Sequence, residues 1–203
     1  RYGGFDVKAG KSTNTIPSKA VLTINGQRHV FEGVSAHSSA PELGVNAIEL
    51  LCASDRVRDF NFSRFVGGIL AGDSHGGKLN FKGEEAFWDG QYLGRTMVAP
   101  TVLRKAGDKV LMTLNIRQNA SLERKTIEEA FDEYREKYHY EYKIASYMDA
   151  LKVSRRLKPF AVMAETYEDW GYENSFIAAG GTSYAKAMKN IVTWGPCFPE
   201  DLS

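Results

Sequence analysis

The stretch Ala20-Val21-Leu22-Thr23-Ile24-Asn25-Gly26-Gln27-Arg28-His29-Val30-Phe31-Glu32-Gly33-Val34-Ser35-Ala36 decides the fold class. Ala20 to Ile24 is an apolar, β-branched run, and Asn25-Gly26 is the preferred type I′ turn pair. The chain then returns from His29 to Ala36, which predicts an antiparallel hairpin. Beyond it come His37-Ser38-Ser39-Ala40-Pro41, a histidine at the strand exit among small residues. Pro41 then precedes apolar positions Ala47, Ile48 and Leu51 at helical spacing. A second helix is expected over Arg56 to Ile69, followed by a Gly-rich turn at 72–77 and a short strand around Lys78 to Phe81.

Further along, Val110, Met112, Leu114 and Ile116 alternate with Leu111, Thr113, Asn115 and Arg117. That is the period of a half-buried strand, with Arg117 at its far end on the more polar face. Thr126-x-x-Glu129 reads as a capping box opening an amphipathic helix whose stripe is Ile127, Ala130, Phe131, Tyr134 and Tyr138. A last strand is expected over Tyr142 to Met148. Together these predict an α+β fold, an antiparallel sheet with helices on one face. From Leu157 onward the pattern changes. Phe160 to Trp170 reads as a helix stopped by Gly171, Ser175 to Ala179 as a short buried strand, and Gly180-Gly181-Thr182 as a tight turn before a short helix at Tyr184 to Met188. We therefore expect one unit over residues 1–157 and a fragment of an α/β layer over 158–203.

Composition narrows the function classes. Against 25 acidic residues stand 26 Lys and Arg, a net charge of +1, which gives no electrostatic pull toward nucleic acid or an anionic membrane. No apolar run approaches the ~20 residues of a membrane span. Cys52 and Cys197 fit neither a metal spacing nor a disulfide framework, so a reducing cytoplasm is expected. The chain opens on Arg1 and stops at Asp201-Leu202-Ser203 without a polar tail, which reads as an excised piece of a longer protein.

Few residues offer chemistry. His37 is either a satisfied structural histidine or a hydrogen-bond donor to developing negative charge, with small neighbours leaving room around its ring. Asn14, in Lys11-Ser12-Thr13-Asn14-Thr15-Ile16-Pro17, is either an Asx-type turn residue or an amide offered to a substrate carbonyl. Arg117 is either an exposed strand-end arginine or a planar fork for a carboxylate. Gly180-Gly181-Thr182 presents backbone N–H groups at a helix start. His75 and His139 read as structural.

In order along the chain, the Lys11–Pro17 segment, Ala36-His37-Ser38-Ser39-Ala40-Pro41-x-x-Gly44-x-Asn46-Ala47, Asn115-Ile116-Arg117, Gly180-Gly181-Thr182-Ser183-Tyr184-Ala185-Lys186 and Phe198-Pro199 resemble the Xaa-His or carnosinase-like dipeptidase branch of the di-zinc aminoacylase/carboxypeptidase superfamily. The resemblance implies a ferredoxin-like lid, or dimerisation-type, domain inserted into a zinc-bearing catalytic domain, with a dipeptide as substrate. His37 would stabilise the tetrahedral oxyanion and Asn14 would hold the substrate near the scissile carbonyl. Arg117, with Gly181 and Thr182, would bind the C-terminal carboxylate. Two zinc ions and a general-base glutamate would belong to the parent enzyme, none of them held by this chain, so the chain alone would be inactive. Its partners would be the rest of the catalytic domain and, through the lid, a second copy. Other readings are a non-catalytic carboxylate-binding module, a dimerisation module and the lid of an aminoacylase-type hydrolase.

Overall fold

Strand β1 (Asp6–Ala9) opens the fold in the computed structural model, which describes residues 4–81, 87–88, 91–92, 94–174, 176, 184–188 and 191–193. It is followed by β2 (Thr15–Ile16), β3 (Lys19–Ile24), β4 (Gln27–Glu32) and β5 (Ala36–His37). Helices α1 (Ala47–Cys52) and α2 (Asn61–Phe65) come next, the latter continued by a π-helical turn at Val66–Leu70. Then come β6 (Phe87–Trp88), β7 (Gln91–Tyr92), β8 (Met97–Ala106) and β9 (Lys109–Arg117), before α3 (Arg124–Tyr138) and α4 (Lys158–Asp169). The main sheet is five-stranded and antiparallel in the order β4-β3-β1-β8-β9, so the fold is α+β.

The first hairpin forms where the turn chemistry places it. Asn25 and Gly26 both sit at positive φ, 51° and 77°, as a type I′ turn demands, and Ile24 faces Gln27 across it. Alternation sorts the faces. Val7 and Ala9 are buried while Asp6 and Lys8 are exposed, and Ala20 and Leu22 are buried to 0%. These residues meet Ile48 and Leu51 of α1, together with Val57, Val66 and Ile69, in one continuous core. Helix α3 buries Ile127, Ala130, Phe131 and Tyr138, and its outer face carries the i,i+4 pairs Arg124–Glu128 and Lys125–Glu129.

Several local expectations fail for physical reasons. Lys78–Phe81 is no strand: the Asp73 carboxylate accepts the N–H groups of Gly77 (3.0 Å) and Lys78 (2.7 Å), pinning a 3-10 turn over Gly77–Leu79. Residues 56–60 precede the second helix as turns rather than opening it. Thr126 caps nothing, because α3 begins two residues earlier. Tyr142–Met148 joins no ladder. Tyr140 and Tyr142 donate their hydroxyls back to the carbonyls of Phe131 and Glu128 in α3, which ties this segment to the helix, while Glu141 pairs with Lys109 of β9 at 3.6 Å. An open groove therefore runs along β9, the outer strand of the sheet. Helix α4 buries only Phe160, leaving Val162 and Trp170 exposed. The expected strand at Ser175 to Ala179 falls largely outside the described residues.

Candidate functional site

A two-stranded ribbon assembles the site. β2 and β5 pair with Thr15 opposite His37 and Ile16 opposite Ala36, and the Ser38 N–H extends the pairing to the Asn14 carbonyl at 2.9 Å. Asn46 ties the start of α1 to the sheet. Its Oδ1 caps α1 by accepting from Ile48 N–H at 3.0 Å, while its Nδ2 donates to the Pro100 carbonyl of β8 at 2.8 Å. Gly33 allows the close approach behind this: a Cβ there would lie 2.0 Å from the Val45 carbonyl oxygen, beside the reciprocal Val34–Val45 backbone pair at 2.9 Å.

Arg117 reaches this ribbon from the end of β9. Its Nε donates to Ser38 Oγ at 3.1 Å, and its Nη2 lies 3.3 Å from His37 Nε2. Ser38 is 1% exposed, so its hydroxyl is a built-in aiming point for the guanidinium. Partial burial pulls the Arg117 guanidinium below its ordinary value, yet a guanidinium of this kind keeps its proton. His37 Nδ1 lies 2.7 Å from Ser39 Oγ. The Ser39 N–H also approaches Nδ1, at 3.4 Å.

The Ser39 N–H donates to His37 Nδ1, and the guanidinium, which has only donors, meets the ring at Nε2. His37 and Arg117, 80 residues apart, are thus mutually engaged rather than both aimed at open space.

Asn14 is exposed, and its Oδ1 accepts from the hydroxyls of Ser12 and Thr15. Gly181 and Thr182 fall outside the described residues. His75 is structural, its Nδ1 meeting the Thr96 carbonyl at 3.0 Å. His139 takes the left-handed position (φ 50°) that ends α3. The sequence gives no signal for the pairing roles of Ser38 and Ser39, which read there only as small neighbours. Among the described residues no group of three or more His, Cys, Asp or Glu could hold a metal ion. No helix among them is long and apolar enough to cross a membrane.

Arg117, His37 and the exposed Asn14 thus lie at one ribbon. Over 175 residues the chain is 27% identical to the Bacillus subtilis (strain 168) protein named "Putative dipeptidase YtjP". It is similar to a dipeptidase. The match covers 82% of this chain and 36% of that protein, so the chain spans about a third of the relative's length. No family model matches.

Proposed function

We propose that this chain is the substrate-binding lid portion, over residues 1–157, of a cytoplasmic metal-dependent dipeptidase acting on short unblocked peptides. Residues 158–203 would then be a piece of its catalytic domain. The observation that carries this reading is the convergence of Arg117, His37 and Asn14 on the β2–β5 ribbon; the likeness to a dipeptidase supports it.

The described residues do not fit a zinc pair. The chain's own residues have definite work. Arg117 takes the substrate's C-terminal carboxylate, with Gly181 and Thr182 as further contacts, and its fork matches two oxygens at once. A carboxylate on Arg117 competes with His37 for the guanidinium, so binding releases His37 Nε2. A ring N–H of His37 would then donate to a developing oxyanion. Asn14 Nδ2 donates to a substrate carbonyl. Carboxylate capture is thereby coupled to arming the histidine.

The test is peptidase activity of the full-length protein with Zn²⁺ or Mn²⁺ on a dipeptide panel. Removing one preorganised donor by His37→Ala should lower kcat by ~10²–10³; an unchanged kcat would remove His37 from the mechanism.

A further inference from the structure

Asn115 lies two residues before Arg117 on β9, on the same strand face, and both residues line the groove along that strand, as do Thr13, Gln118 and Lys186. The whole groove, at about 1990 Å³, exceeds the ~300–1,000 Å³ typical of a fitted small-molecule pocket. A small ligand would therefore fill only part of it, such as the end of β9 that carries Asn115 and Arg117.

Within that end, Asn115 is oriented at a cost. Its Oδ1 is buried and meets no hydrogen-bond donor, while the residue as a whole is half-buried. A buried polar atom left unpaired is destabilising. The Nδ2 donors at the other end of the amide meet no hydrogen-bond acceptor among the described residues. An amide that forgoes pairing of its oxygen and keeps its donors free beside an arginine is preorganised for an anion. We propose that Asn115 is a second donor to the substrate carboxylate bound by Arg117, and so a specificity residue for substrates with a free C-terminus. This rests on the reading of Arg117 as the carboxylate anchor.

The experiment uses the full-length protein, with alanyl-alanine and its C-terminal amide as substrates. Asn115→Ala should raise KM for the free dipeptide about tenfold, with kcat nearly unchanged. The amide should show no such loss. Asn115→Asp should be worse than Asn115→Ala, because it sets a like charge against the carboxylate. The melting temperature of Asn115→Ala should stay level or rise, since the unpaired oxygen is gone; a structural asparagine would lower it. An unchanged KM, an equal loss on the amide, or an aspartate as good as alanine would each overturn the proposal. Arg117→Lys separates the two readings. If it raises KM for the free dipeptide while Asn115→Ala does not, only the role of Asn115 fails. If it does not, the anchor itself fails and the role of Asn115 with it.

Discussion

Ser38→Ala tests how the guanidinium is aimed. The hydroxyl is 1% exposed and accepts the Arg117 Nε–H at 3.1 Å. A hydrogen bond with a charged partner contributes ~1.5–3 kcal/mol. Arg117 is only half-buried, so water can partly replace the lost acceptor and the lower end applies, about 1.5 kcal/mol. For a chain of this size that is a fall in melting temperature of about 3–6 °C. If the arginine loses its aim, affinity for a carboxylate ligand should drop about tenfold on the same scale. The clean measurement is a double-mutant cycle with Arg117→Met, read by urea denaturation. The two changes should couple by about 1.5 kcal/mol, because either one removes the same bond. The loss of the His37 contact occurs in both arms with Arg117→Met and cancels. Additivity to within ~0.5 kcal/mol would refute the claim that Ser38 and Arg117 act as a unit.

Asn46→Ala removes a helix cap and the link from α1 to Pro100 together, so a loss of about 1–2 kcal/mol is expected by denaturant titration. Burial raises the Glu49 carboxyl above its ordinary value, against a smaller opposing pull from the Gly72 amide. The stability it contributes is therefore full below about pH 4.5 and lost as pH rises through the raised value. Glu49→Gln should be more stable than wild type at pH 7 and lose that advantage at pH 4, as compared by urea midpoints. Burial pushes the Cys52 thiol up to about 12, so a disulfide reagent at pH 8 should leave Cys52 unmodified, by peptide mapping, until denaturant is added.

Local chemistry made part of the fold legible. Asn25-Gly26 specifies its turn because few residue pairs accept two positive φ values, and the alternation of β9 follows from a pleat that sends successive side chains to opposite faces. Where a local cue competed with a non-local contact, it lost. The Thr126 capping box yielded to a helix starting at Arg124, reached through a turn in which the Asn119 side chain accepts from the N–H groups of Ser121 and Leu122. The strand pattern survives at Tyr140 to Ala145, with alternate residues half-buried, but two tyrosine hydroxyls hold the segment to α3.

The candidate site divides the same way. Residue type alone marks Arg117 as a carboxylate fork, His37 as a donor or acceptor, and Asn14 as an amide near a turn. Their partnership is tertiary. The contact between Arg117 and His37 spans 80 residues, and Ser39 engages the other ring nitrogen. The unpaired oxygen of Asn115 depends equally on what the fold packs around it. Sequence carries the menu of donors and acceptors through side-chain chemistry. Only the packed chain decides which of them satisfy one another and which are left for a ligand, because hydrogen bonds depend on distance and direction that no local pattern encodes.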